Sequence, residues 1–396
     1  MSAHAAIGWS ASSNAFAAGQ AAARAVSKRL GRRRARFALV FGSSWFDQPP
    51  LLDGIRSVLG RTPLAGGSTA GEITPEGPES HSCVVLAIAE DAGLTVGLGM
   101  GTNLRNDPRL AGHQVAQQAM RQLNSPHRQA FLFFGDGLYA RYTPVLQGIQ
   151  EVLGTQFLIT GGLTADDLRF SRTFQYGEQV QQGGIAGLLL GGGCRVGVGL
   201  EHGFRPISKP RKITRADANV LYELDGRPAS SVYEEYLGPR GMELIRHAEL
   251  TRLTVAYPLG VQTDADGQFL LRNVLSFGGN GSLICTGEML EGAWLRLMIG
   301  SKELALEAAT SAARTAMSQV RVADFALVFS SAVRRRLLGR DARLELARIR
   351  QVLGSTVPIA GCYTYGEQAP PTTETPYGQP STQTSSCLVI AVECHR

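Results

Sequence analysis

The sequence predicts an α/β fold: repeated strand-helix-strand-helix-strand units forming mostly parallel or mixed sheets, with an antiparallel strand-rich region in the middle. Three observations predict it. Short apolar words recur in one order along the 396 residues. Helix-forming stretches fall between those words. One unlike segment, from Arg195 to Trp294, interrupts the series.

The first copy reads FALVFGSSWF from Phe37, then LLDGIRSVLG, TPLAGGSTAGEI and SCVVLAIAE. The last reads FALVFSSAV from Phe325, then LELARIRQVLG, VPIAGCYTYGEQ and SSCLVIAVE. A looser middle copy starts at Ala130 with AFLFFGDGLY, then VLQGIQEVLG, QFLITGGLTADD and IAGLLLGGG. FALVF and FLFF are continuous apolar runs, as in strands covered on both faces. Ile55, Val58 and Leu59 at i, i+3 and i+4 predict one buried helix stripe. Gly60, Gly154 and Gly354 follow the last apolar residue, where a left-handed cap is needed. Pro63 and Pro358 open the next strand, where proline is tolerated. A prelude precedes each copy: Ile7-Gly8-Trp9 before a helix over 15–30, Val96-Gly97-Leu98 before one over 110–123, and Leu297–Gly300 before one over 302–320. Alternating strands and helices imply crossover connections and parallel neighbours.

In the unlike segment, Val220–Leu224 reads as a strand, Asp225-Gly226 as a turn and 229–237 as a short helix. VAYPLGV, FLLRNVLSF and SLICTGEML read as short antiparallel strands separated by turn residues. Pro206, Pro210 and the surrounding charge mark an exposed joint. Two domains are expected, 1–212 with two units and 213–396 with the strand-rich region and the third.

The net charge is +6 and the arginines cluster. Lys28, Arg29, Arg32, Arg33, Arg34 and Arg36 read as a solvated helix end, which also suits the helix dipole. Arg334, Arg335, Arg336, Arg340 and Arg343 read as a solvated helix start. No aromatic interleaving or nucleic-acid motif accompanies them, so no nucleic-acid partner is expected. No apolar run approaches the roughly 20 residues of a membrane span, and residues 1–30 lack the apolar core of a signal peptide. No membrane partner is expected, and the cytoplasm is the expected compartment, with the six cysteines reduced.

Catalytic chemistry is hard to find. The seven histidines form no HxH, HExxH or Cys/His cluster, so no metal is expected. No Walker loop appears, no G-x-G-x-x-G is completed, and GGSTAG at 66–71 places its last glycine one residue late for a nucleophile elbow. No cofactor and no catalytic residue are assigned. Cys362 is the best nucleophile candidate, but no His or Lys adjoins it to lower its pKa.

Ligands of open α/β sheets bind outside the carboxyl ends of the strands. Here those ends are Ser43, Ser44, Asp136 and Ser331, with the glycine-rich loops Gly66, Gly67, Ser68 to Glu72, and Gly361, Cys362, Tyr363, Tyr365 to Glu367. Small residues let backbone N–H groups approach a carboxylate, and Glu72 or Glu367 could hold an ammonium. Arg272-Asn273, between apolar runs, offers a fork to a carboxylate. These residues are the candidate ligand site. Repetition also has a structural explanation: one turn copied three times.

The words PLAGGSTAGEI at 63–73, ELDGRPA at 223–229 and PIAGCYTYGEQAP at 358–370 resemble the FIST family, in which N-terminal and C-terminal FIST domains occur in tandem. The resemblance implies a sensory protein binding amino acids or similar small carboxylates, and it implies no established catalytic residues. Ser331 stands where the family commonly has cysteine, and 379–386 lacks the family's usual His-Asn pair. No kinase, methyl-accepting or F-box segment is present, so the output is expected to be a separate signalling partner protein or the chain's own oligomeric state. Two alternatives stay open: a protein–protein interaction scaffold, and an enzyme acting on a small molecule.

Overall fold

The computed structural model describes residues 4–246, 255–262, 269–369 and 381–394. The first unit runs β1 (Ala5–Ser10), α1 (Ala15–Leu30), β2 (Ala35–Ser43), α2 (Gln48–Leu59), β3 (Leu64–Thr69), β4 (Glu72–Thr74), β5 (Gly77–Glu79) and β6 (Cys83–Ala89). The second runs β7 (Leu94–Gly101), α3 (Pro108–Gln122), β8 (Arg128–Gly135), α4 (Tyr142–Leu153), β9 (Ile159–Leu163), β10 (Gln175–Tyr176), β11 (Val180–Gln181) and β12 (Ile185–Gly192). The third opens with β13 (Cys194–Glu201) and is then interrupted.

The interruption is strand-rich: β14 (Phe204–Pro206), β15 (Arg211–Asp217), β16 (Val220–Leu224), β17 (Arg227–Pro228), α5 (Ser231–Arg246), β18 (Leu259–Gln262), β19 (Phe269–Arg272), β20 (Val274–Phe277), β21 (Leu283–Cys285) and β22 (Trp294–Gly300). The third unit then resumes with α6 (Lys302–Ser318), β23 (Phe325–Ser331), α7 (Ala332–Leu338), α8 (Ala342–Leu353), β24 (Ile359–Thr364), β25 (Glu367–Ala369), β26 (Ser381–Gln383) and β27 (Cys387–Cys394).

Three six-stranded sheets share one order: β1-β6-β2-β3-β10-β11, β7-β12-β8-β9-β25-β26 and β13-β27-β23-β24-β4-β5. The last two strands of each come from another unit. The first unit lends its hairpin to the third sheet, the second to the first, and the third to the second. The exchange closes into a ring, so no unit completes its sheet alone. Each sheet has one parallel pair (β2 with β3, β8 with β9, β23 with β24), made by a helix crossover. The remaining pairs are antiparallel, so of the two expected arrangements the sheets take the mixed one.

The strand-rich region corrects one element of the sequence reading. Leu297–Gly300 lies in β22 and belongs to the inserted sheet, pairing with β14, β15 and β18. The third unit's first strand is β13, which pairs with β27 as β1 pairs with β6. The reason is a close approach. A Cβ on Gly199 would lie 2.0 Å from the carbonyl oxygen of Ala312, so only glycine lets the alanine face of α6 settle onto β13. Within the insert, β16 and β17 form the expected hairpin, with Asp225 and Gly226 at φ +51° and +73°. The run FLLRNVLSF breaks at Asn273 into β19 and β20, the two ends of the inserted sheet's strand order.

The three sheets meet face to face. Phe41, Phe134 and Phe329 sit edge to face with ring centroids 5.6–5.9 Å apart, one from each sheet. Helices cover the outer faces. Gly60, Gly154 and Gly354 cap α2, α4 and α8 at positive φ, each donating its N–H back to the helix (2.8–2.9 Å). Among the described residues, no helix is long and apolar enough to cross a membrane.

Candidate functional site

The glycine-rich loops are held by one clamp used three times. In the first, the Glu72 carboxyl is paired with the Thr69 hydroxyl and accepts from the Ser82 N–H (3.1 Å) and hydroxyl (2.7 Å). In the third, Glu367 is paired with Thr364 and accepts from the Ser386 N–H (3.2 Å) and hydroxyl. In the second, Gln175 stands in the same place: its Nε2 donates to Thr164 Oγ1 (2.8 Å) and its Oε1 accepts from the Gly184 N–H (3.1 Å). Glu72 and Glu367 are fully buried. Burial pushes Glu72 up to about 7 and Glu367 up to about 8, against the lowering effect of their hydrogen bonds.

The other loop residues are likewise engaged with their own framework. Cβ atoms on Gly66 or Gly361 would lie 1.9 Å and 1.8 Å from the carbonyl oxygens of Val40 and Val328. Gly67 pairs with Gln175 across β3 and β10. Ser68 donates to the Ala165 carbonyl (2.8 Å) and accepts from the Phe174 N–H (2.9 Å). Ser43 Oγ accepts from the Trp45 N–H (3.2 Å), and Ser44 Oγ from Arg169 (2.8 Å). Cys362 is buried among the three sheets, and burial holds its thiol well above the usual range. Tyr363 lies buried beneath Arg335, whose guanidinium carbon is 4.9 Å from the ring centroid.

The cleft lies elsewhere, where two copies depart from the shared pattern. Two residues separate Thr69 from Glu72 and Thr364 from Glu367, but ten separate Thr164 from Gln175. That longer loop and the strand-rich insert face each other across a cleft of about 610 Å³, within the range of small-molecule sites. One wall is Gly137–Ala140, Leu168, Phe170 and Ser171. The second is Asn219, Asn273–Ser276 and Ile284–Thr286. Ser331, Ala332, Val333 and Arg336 of the β23–α7 junction, with Thr364 and Tyr365, close the third side.

Of the candidates read from the sequence, the structure brings Asn273, Ser331 and Tyr365 together here. Asp136 sits directly behind, its Oδ1 accepting from the Leu138 N–H (3.0 Å) and the Thr173 hydroxyl (2.6 Å). Asn273 is 3% exposed; its Nδ2 donates to Ser385 Oγ (2.7 Å), while its Oδ1 is buried without a partner among the described residues. Arg272 is not among the lining residues. It donates to the carbonyls of Leu271 and Glu288, and burial pulls it down to about 10, so it stays cationic at neutral pH.

Two charged lining residues lie outside the candidate site read from the sequence, Arg105 and Arg336. Both are exposed, and neither has an ion-pair or hydrogen-bond partner among the described residues. Among the described residues that line the cleft, none is Asp or Glu. In the arginine cluster read as a solvated helix start, Arg340 and Arg343 are exposed, but the three adjacent arginines differ from one another. Arg334 is fully buried against Glu345 (2.6 Å). Arg335 clamps the Ala70 and Glu79 carbonyls (2.6 and 3.0 Å). Arg336 alone faces the cleft.

Family models of the FIST N domain and the FIST C domain match residues 36–227 and 229–370. The chain belongs to the FIST family. FIST domains are small-ligand-sensing domains of signal transduction. The two matches meet inside the strand-rich insert, at Pro228 in β17. An uncharacterized protein of Methanocaldococcus jannaschii is 33% identical over 164 residues, which is 38% of this chain and 31% of that one. An uncharacterized protein of Mycobacterium tuberculosis is 28% identical over 222 residues, 54% of this chain and 55% of that one. The FIST chain thus aligns with about a third to a half of the length of these curated relatives. Among solved structures, cyanuric acid hydrolase from A. caulinodans aligns over 99% of both chains at 9% identity, with a TM-score of 0.36.

Proposed function

We propose that this FIST protein senses a small carboxylate, bound in the cleft between the long loop of the second unit and the strand-rich insert. One observation carries the reading: two unpartnered arginines, Arg105 and Arg336, border a largely apolar cleft whose described lining has no acid. A guanidinium fork suits a carboxylate, and the low-dielectric walls strengthen the pairing. The hydroxyls of Ser276, Thr286, Ser331 and Thr364 offer further polar contacts. An amino acid fits the same arginines, with its ammonium facing those hydroxyls in place of a carboxylate. All six cysteines are free, which suits a reducing, cytoplasmic setting.

A thermal-shift series with small carboxylates tests the proposal. A ligand at about 100 times its Kd stabilises by about 2.7 kcal/mol, enough to raise the unfolding midpoint by several degrees. The double variant R105Q/R336Q is expected to lose the shift, because each charge-assisted contact contributes about 1.5–3 kcal/mol. Both side chains are exposed, so the variant's own midpoint should stay within about a degree of the parent's. An equal shift in parent and variant removes the arginines from the site; no shift with any carboxylate removes the site itself.

A further inference from the structure

We infer that the carboxylate is carried on a planar ring, and that Phe170 is the surface on which the ring stacks; this rests on the cleft being the ligand site. The starting point is backbone strain. Asp167, Leu168 and Phe170 stand at φ +56°, +61° and +50°, three non-glycine residues in the left-handed region within four positions. Such strain persists only where the surroundings enforce it, and it concentrates at ligand clamps.

What enforces it here is Asp166, which is fully buried. Its Oδ1 accepts from the Phe170 N–H (2.9 Å) and from the Tyr365 hydroxyl. Its Oδ2 accepts from the N–H groups of Ser171 (2.8 Å) and Arg172 (3.0 Å). The result is a fixed stack. The Phe170 and Tyr365 rings lie 4.7 Å apart at 18°. A Cβ on Gly137 would come within 2.9 Å of the Tyr365 ring, so that residue closes the back of the stack.

Phe170 is 40% exposed and lines the cleft. Core packing does not require a bulky side chain at a left-handed position with two-fifths of its surface in solvent. A platform for a flat ligand does. Leu138, Val255, Val274 and Ile284 line the same space with aliphatic groups, and Arg105 and Arg336 supply the charge that orients the ring's carboxylate. An aliphatic carboxylate would use the arginines and leave the platform without its geometric partner.

Isothermal titration with three matched probes separates the claims. Phenylacetate carries ring and charge, cyclohexylacetate carries charge on a puckered ring of similar size, and phenylacetamide carries the flat ring without charge. Phenylacetate is expected to bind about tenfold more tightly than cyclohexylacetate, the scale of one aromatic stack. Phe170→Leu keeps apolar volume and removes the flat face; it should weaken phenylacetate to the level of cyclohexylacetate and leave cyclohexylacetate unchanged. Equal binding of the two carboxylates, or an F170L variant that still prefers phenylacetate, overturns the ring inference and leaves the carboxylate reading standing. Phenylacetamide binding as tightly as phenylacetate overturns the carboxylate reading. Absence of binding by all three probes overturns the ring inference, and the wider carboxylate series then decides whether the cleft is a site.

Discussion

Replacing Glu72 and Glu367 together by glutamine is expected to flatten the dependence of stability on pH between about 5 and 8. In the folded chain, burial raises the two carboxyls from 4.5 to about 7 and about 8. The native state therefore holds their protons more tightly than the unfolded chain does. That contribution to stability is fully present below about pH 4.5 and is lost as pH rises through 7 and then 8. Each tenfold gain in proton affinity on folding is worth about 1.4 kcal/mol, so the pair together changes stability by several kcal/mol across the window. Gln175 shows that a neutral amide fits the same clamp, with its Nε2 on Thr164 and its Oε1 on the Gly184 N–H. The double variant should match or exceed the parent in midpoint at pH 8 and keep that midpoint at pH 6. Thermal unfolding at both values is the measurement. A variant that is strongly destabilised at pH 8 would mean that the carboxylates are held charged. Carboxylate binding in the cleft should survive the substitution, because neither Glu72 nor Glu367 is among its lining residues.

Arg334→Met is expected to destabilise the chain by about 3–5 kcal/mol, the cost of leaving one partner of a buried ion pair alone. Arg334 and Glu345 are both fully buried, and Ser330 Oγ donates to Glu345 Oε2 (3.0 Å). Arg334 also donates to the carbonyls of His202 (2.9 Å) and Ala305 (2.7 Å). Those carbonyls flank the points where the strand-rich insert leaves β13 and re-enters at α6. The same burial, with Arg334 beside it, pulls His202 down to about 4 and keeps that ring neutral. Urea unfolding of R334M, E345M and the double variant should show the double regaining most of the loss, since no charge is then stranded. If R334M alone costs as little as a surface substitution, the pair holds nothing together. If it is costly and also weakens carboxylate binding, Arg334 positions α7, and with it Arg336, at the cleft.

Much of the fold was legible because local physics repeats. The expected helix over 15–30 is α1, the cap glycines take positive φ, and Asp225-Gly226 makes its hairpin, since each needs only near neighbours. The hairpin exchange was not legible. β10 and β11 have two residues each, too short for alternation to show. Their partners lie in another unit, so only long-range pairing reveals them. The first strand of the third unit was hidden differently: an insert of about a hundred residues separates it from its helix, and the apolar run of β22 took its apparent place.

The candidate site follows the same division. The ten-residue gap between Thr164 and Gln175 is written in the sequence, and it marks the loop that builds the cleft. The ionisation of Glu72 and Glu367, and the different fates of Arg334, Arg335 and Arg336, are not written there. Three adjacent arginines of one type become a buried ion pair, a loop clamp and a cleft cation only because the α7 turn points them at different neighbours. The order of residues alone was enough for the α/β class, the FIST membership and the positions at which the copies diverge, because those depend on local pattern. The folded arrangement was needed to establish that the glycine-rich loops clamp themselves and that the divergent segments enclose a cleft, because burial and long-range hydrogen bonding set what each polar group can reach.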